Sequence, residues 1–302
     1  MQKISRSDVI FQFSPKNRPI ATVRPGETVS VETDDCFRSQ IRSERDLVTE
    51  IDFSQVNPAT GPIAVEGAEP GDILVIDITS IEVEDTGFMV AIPGEGAFGE
   101  RLKESVTRVV PVRNGRFWIE DHLSFPVHPM IGVIGVSPGD HEVPCGEIGD
   151  HGGNMDAKVI RQGARLYFQV RQEGAMFALG DAHAGMGDGE ALICGVEIPA
   201  RVELSFELIK QPKILPPRPV VEIDDRVVTI GLGPTLDEAA SCALNDMMDL
   251  IHLKTGRSLD AISMLISAVG DLRVCQIVDP QKTARVEMPK AVFPEPSRPV
   301  LP

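Results

Sequence analysis

The chain has 302 residues, of which 42% are apolar and 25% charged, enough for a sizeable core in one large domain or two ordinary ones. Its 45 acidic against 29 basic side chains give a formal charge of −16, which repels phosphate backbones and anionic membranes and argues against a nucleic-acid or membrane role. No apolar run approaches the roughly 18 residues of a membrane span, and residues 1–14 contain no continuous apolar stretch of the secretory kind, so a cytoplasmic protein is expected.

With 27 Gly and 24 Pro, punctuation is frequent, as in short strands joined by tight turns. Val29 and Val31 alternate with polar neighbours in Glu27-Thr-Val-Ser-Val-Glu-Thr33, the pattern of a half-buried strand. The turn signal Glu69-Pro-Gly-Asp72 leads into an apolar run over 72–78, read as the next strand. Gly94-Glu-Gly-Ala-Phe-Gly99 matches G-x-G-x-x-G, but Pro93 precedes it and the β-branched run Val106-Thr-Arg-Val-Val110 follows. With no helix to receive a pyrophosphate, a turn or a loop at the active site is the better reading. Further strands are expected at 130–136, 165–170 and 201–208.

The texture changes at Gln211-Pro-Lys-Ile-Leu-Pro-Pro-Arg-Pro219, an extended connector. After a strand at 226–230, Thr235 and Glu238 stand at capping-box spacing. Leu236, Ala239, Ala240, Ala243, Met247 and Ile251 then form a helical stripe that ends before Gly256. A second helix is expected from Ser258 as N-cap to Val269, and the Pro-rich tail 294–302 as an extended arm. The organisation is therefore a β-rich part, 1–212, and an α+β part, 213–302, packed on it or intertwined with it as one domain. Five cysteines, Cys36, Cys145, Cys194, Cys242 and Cys275, are scattered without a CxxC, so no disulfide framework is expected.

Chemistry concentrates between residues 140 and 190, where His141, His151 and His183 lie among nine carboxylates and four basic side chains. Two Gly-rich segments stand out: Gly149-Asp-His-Gly-Gly-Asn-Met-Asp156 and Gly180-Asp-Ala-His-Ala-Gly-Met-Gly-Asp-Gly-Glu190. Asp181 and His183 are two apart, so on a strand they share a face. An imidazole and a carboxylate converging there suit a divalent cation such as zinc. His151 and Asp156 in the first segment strengthen that reading. Asp188 and Glu190 repeat the spacing. The bland alternative is that D-x-H is common and isolated histidines are mostly surface or core residues; His122, His128, His141 and His252 are read that way.

These two segments resemble the acetamidase/formamidase family, and so do Asn57-Pro-Ala-Thr-Gly-Pro62, Val65-Glu-Gly-Ala-Glu-Pro-Gly-Asp72 and Ser267-Ala-Val-Gly-Asp-Leu-Arg-Val274. The matches span residues 25–293 in order. The resemblance implies a mainly β, β-sandwich-rich fold, a divalent metal (usually zinc), hydrolysis of short amides to a carboxylate and ammonia, and a cytoplasmic homo-oligomer. Opening of a small γ-lactam is the related activity it implies. Carried over by position, it also adds Asp35, in Glu32-Thr-Asp-Asp-Cys-Phe37, with Asp34 beside it as the other possible match. On this reading Asp35, His151, Asp181 and His183 hold the metal.

An amide is a weak electrophile with a poor leaving group, so its hydrolysis needs a nucleophile, an oxyanion stabiliser and a proton donor to nitrogen. A metal ion supplies the first two and a carboxylate the third. Glu147, Asp156, Asp188 and Glu190 are the candidates. Glu147 is favoured on position alone, four residues before His151, with Glu190 next. No Gly-Ser-Ser stretch suggests a Ser-Ser-Lys amidase, and neither Cys145 nor Cys194 lies in a recognisable Glu-Lys-Cys setting. The alternative from another class is a metal-binding β-sandwich without catalysis.

Overall fold

Strand alternation sorts the apolar side chains onto two faces. In the Ile73–Val83 strand, Leu74, Ile76 and Ile78 enter one buried core, while Ile73 and Val75 enter another. The computed structural model describes residues 1–301. Its centre is a nine-stranded sheet, ordered Gln2–Ile4, Thr28–Thr33, Ala200–Ile209, Ile73–Val83, Arg165–Gln169, Val220–Ile223, Arg226–Gly233, Lys282–Pro289, Asp271–Gln276. Only the first pair is parallel.

One face packs on a seven-stranded sheet built around Met130–Gly135, Phe177–His183 and Ala59–Val65. Ile131, Ile134, Phe177 and Leu179 from that sheet meet Val202, Leu204, Phe206 and Phe168 from the first, making a sandwich core. The other face is covered by two helices, α1 (Leu236–Thr255) and α2 (Leu259–Val269), through Ala243, Met247, Ile251, Ile262 and Ile266. The chain thus has the mainly β, sandwich-rich fold with a helical element near its C-terminus.

Both helices have the expected caps. Thr235 and Glu238 form a reciprocal capping box, Gly256 closes α1 at φ 68°, and Ser258 caps α2. The hydrogen-bonded ladder continues across residue 212, since Tyr167 pairs with Val220 and Arg165 with Glu222. A cut at 212 would therefore divide one sheet. Arg218 fastens the Pro-rich connector to α1 by a two-pronged bond to Asp246, at 2.6 and 2.7 Å. The tail is no free arm: Phe293, Val300 and Leu301 are buried beside the helices, and Val300 N donates to Glu222 Oε1 at 2.6 Å. Pro302 lies outside the described residues.

A four-stranded antiparallel sheet, Thr86–Ala91, Val106–Arg113, Arg116–Glu120 and Leu123–Pro126, was legible only as the 106–110 run. Residues 94–99 lie between its first two strands as a closed loop, with Gly94 N bonded to Gly99 O at 3.0 Å and only a 3-10 turn, Gly99–Arg101, after it. The βαβ setting of a nucleotide site is missing there. No helix among the described residues is long and apolar enough to cross a membrane.

Candidate active site

The Phe177–His183 strand delivers Asp181 and His183 at its end. Opposite them runs Met130–Gly135, paired Ile131↔Ala182 and Val133↔Gly180, which leaves Gly132 facing Asp181. A methyl group at Gly132 would overlap both Asp156 Oδ1 and Asp181 Oδ2, so its missing side chain makes the space those carboxylates fill. Asp181 leaves strand conformation at φ 57°, yet its Oδ1 still lies 3.3 Å from His183 Nε2. The expected meeting of these two side chains occurs.

Asp156 follows the short Gly152–Asn154 strand, held by a bond from Met155 N to Gly132 O at 3.0 Å. Glu190 ends a glycine turn that the C-terminal region grips: Gly189 N donates to Cys275 O at 2.8 Å, and Ile277 N to Gly189 O at 3.1 Å. Like Asp181, Asp156 (φ 41°) and Glu190 (φ 44°) have left-handed backbones. Such conformations cost about 1–3 kcal/mol each outside glycine and concentrate at functional sites. Glu197 bridges antiparallel to both Phe88 and His183, and its Oε1 accepts from Gly195 N at 2.8 Å and lies 3.1 Å from His183 Nε2.

Four buried carboxylates thus surround one imidazole, and no Lys or Arg among the described residues pairs with any of them. Burial, then the charges of Glu190 and Asp181, push the Asp156 carboxyl well above its usual range. Glu190 is raised to about 8, by burial and then by Glu197 and Asp181, with His183 opposing. Burial also raises Glu197. Burial works against the His183 charge, but the facing Glu197 and Asp181 hold its pKa well above the ordinary imidazole value. Asp156 Oδ1, Glu197 Oε2 and His183 Nδ1 are buried without a hydrogen-bond partner. Buried polar atoms are rarely left so.

Those orphans, and the excess of negative charge, are what a divalent cation would relieve. Ligand atoms of Cys36, Asp181 and Glu197 lie within 4.8 Å of one another, as do those of Asp156, His183 and Glu190. The 3.1 and 3.3 Å separations from His183 Nε2 are close to the roughly 3.3–3.5 Å expected between donors on a tetrahedral zinc with bonds of about 2.0–2.2 Å. Imidazole, carboxylate and thiolate are all zinc donors, so these residues fit the ion.

The other expected site residues fall outside this cluster. His151 is buried edge-on against Phe13, with ring centroids 4.8 Å apart. Burial pushes its pKa down to about 3, the charges it senses are those of His141 and Arg171, and both ring nitrogens are unpartnered. The Asp35 carboxylate accepts from Phe37 N and Ser39 N at 2.9 and 3.1 Å, shaping the turn that presents Cys36 to Asp181 and Glu197. Asp188 is held by Arg285 at 2.9 and 3.1 Å, and this guanidinium keeps its carboxyl below the usual range despite partial burial. Glu147 is exposed on a short hairpin, where its backbone carbonyl accepts from Asn154 N.

Two residues of the cluster, Glu197 and Cys36, and one acid beside it, Asp279, were not expected. Glu197 had a signal: it is a lone acid in the apolar run Ile193-Cys-Gly-Val-Glu-Ile198, where an unpaired carboxylate is unusual. Cys36 looked like any core thiol. Asp279, which accepts from Asn154 Nδ2 at 2.9 Å and is raised to about 7 by burial and then by Asp181, sits before Pro280 and reads as a turn residue.

The raised acids make the metal-free protein sensitive to alkali. In the unfolded chain these carboxyls titrate near 3.8 (Asp) and 4.5 (Glu), whereas the folded chain holds Asp35 and Asp279 to about 7 and Glu190 to about 8. As pH rises from about 5 to about 8 the unfolded chain has already released protons that the folded chain must still surrender, so stability falls. His151, kept neutral, works the other way through a single proton. Calorimetry in the presence of a chelator should give a Tm that declines across that window; a Tm rising with pH would contradict the arrangement.

Comparison with known proteins bears on the family. A sequence model of the Acetamidase/Formamidase family matches residues 5–147 and 138–295. The formamidase of Methylophilus methylotrophus is 28% identical over 258 residues, covering 66% of this chain and 63% of that protein; the chain therefore spans under two thirds of that relative's length. The crystal structure of an acetamidase from Bacillus halodurans superposes with a TM-score of 0.93 at 44% identity, over 96% of this chain and 97% of that one. A recombinant predicted acetamidase/formamidase of Thermoanaerobacter tengcongensis gives 0.94 at 42% identity, over 96% of each chain. Motifs, fold and sequence model agree along nearly the whole length, and the chain belongs to the acetamidase/formamidase family.

Proposed function

We propose that the protein is an amidohydrolase that cleaves a carboxamide to a carboxylate and ammonia with a divalent metal, zinc above all, held by Asp181, His183 and Glu197 with Cys36 in reach. The observation that carries this reading is the knot of four buried carboxylates around His183, with three orphaned polar atoms. When bound, the ion supplies a Lewis acid for the carbonyl and a water whose pKa falls toward ~7.

This chain's own residues do the rest. Glu190, alone of the four acids, lines the cavity that reaches the cluster, so it can take a proton from water and pass it to the departing nitrogen. Asp156 lies beside it in the same group of ligand atoms, and burial with the Glu190 charge raises the Asp156 carboxyl. Glu197 Oε1 and Asp181 Oδ1, 3.1 and 3.3 Å from His183 Nε2, would hold the ion together with that nitrogen. A homo-oligomer in the cytoplasm belongs to the same reading and rests on the family.

Metal analysis of desalted protein and ammonia release from a panel of amides test the proposal together. Stoichiometric zinc and turnover that is lost on chelation and regained with zinc are expected. Metal-free protein that hydrolyses amides regardless of chelator would overturn the metal's role. Stoichiometric metal without turnover of any amide would favour the non-catalytic sandwich.

A further inference from the structure

We infer that the cavity beside Glu190 is a subsite for a bulky apolar acyl group, so that the preferred substrate is an aryl- or branched-chain amide rather than formamide or acetamide. The inference rests on the amide-hydrolase reading above and says which amide that site takes.

The cavity measures about 570 Å³. Acetamide, with four heavy atoms, would fill on the order of 100 Å³ at roughly 30 Å³ per water-sized atom. The remainder would be water against apolar walls, because the lining includes Met89, Phe98, Phe117, Ile119, Phe125 and Met186. Cavities of roughly 300–1,000 Å³ with apolar walls and a few polar groups at one end suit ligands much larger than a two-carbon amide. Phe98 and Phe125 remain about half exposed at the mouth, with rings that a ligand would cover.

The ionisable lining groups are few: His128, Asp188, Glu190 and Cys194. Gly195 lines the cavity beside Cys194, and a methyl group on it would come within 2.7 Å of His183 Nδ1. Gly195 therefore lines the cavity and packs against the imidazole at once. At the other side, a methyl group on Gly185 would approach Phe117 Cε1 to 2.6 Å, so the Phe117 ring lies directly on the main chain just after His183. Phe117 pairs across the strand with Phe125, ring centroids 5.8 Å apart. A carboxamide placed at Glu190 therefore extends its acyl group onto these two rings, and the two methionines can adapt to its outline.

The test is kcat/KM for ammonia release along acetamide, propionamide, butyramide, benzamide and phenylacetamide. A rise of about fourfold per buried methylene is expected, and at least about thirtyfold for phenylacetamide over acetamide. Phe117→Ala should lower phenylacetamide kcat/KM by about 10–100-fold, mainly through KM, and change acetamide less than about threefold. Ile119→Ala serves as a second variant should the first fold poorly. A flat or falling series, or equal losses on both amides, overturns the inference. Calorimetric binding of phenylacetamide separates the two readings. Binding that weakens in Phe117→Ala without turnover of any amide keeps the subsite and removes the hydrolase reading. Turnover of acetamide without phenylacetamide binding does the reverse.

Discussion

Replacing His183 by alanine is expected to remove the bound metal and lower ammonia release by at least about 10³-fold, since a Lewis acid contributes several kcal/mol and each ~1.4 kcal/mol is tenfold. Among the described residues the imidazole is the only positively chargeable group paired with Asp181 and Glu197, at 3.3 and 3.1 Å. Its loss leaves two buried carboxylates facing each other. Breaking a buried charge pair in this way costs about 3–5 kcal/mol, so the variant should also melt several degrees lower. Metal content, kcat and Tm measured on one preparation separate the possibilities. A folded variant with wild-type zinc and rate would make His183 a structural residue; one with zinc retained but Tm reduced would move the ion to other ligands.

Glu190→Gln should lower kcat by about 10²–10⁴-fold, the usual contribution of a general acid–base group, while zinc occupancy stays at its wild-type level. Glu190 is favoured because it is buried, touches the cavity and sits on a strained backbone gripped by residues 275–277. The exposed Glu147, first choice on sequence position, should tolerate Glu147→Gln with less than about a twofold change, as solvated surface acids usually do. Asp188→Asn should act differently again, loosening the Arg285 pair that holds the Glu190 turn. If Glu190→Gln loses zinc and rate together, Glu190 is a ligand with Asp156 and His183, and the proton carrier is another acid of the cluster.

Features closed by bonds between near neighbours were legible in the sequence. The Thr235–Glu238 box, the Gly256 stop and the Ser258 cap are bonds across three or four residues, and residue type decides them whatever the rest of the chain does. Alternation likewise marked the strands around Val29 and Leu204, because a strand with a buried face needs that period wherever it sits. Asp181 and His183 could be paired for the same reason.

Whatever depended on sheet register could not be read this way. His151 and Glu147 lie close in sequence to Asp156, but the Ile148↔Gly153 hairpin reverses the chain between them, turning the imidazole onto Phe13 and Glu147 to solvent. Glu197 reaches His183 because it bridges that residue and Phe88 at once. Asp279 comes from beyond the helices, placed by the Gln276 side chain, which accepts from the Val278 and Asp279 amides at 2.8 and 2.9 Å. Each of these contacts joins segments whose separation along the chain carries no periodic or capping signal. Only the packing of two sheets brings their carboxylates to one point, and the charge concentrated there makes it a site.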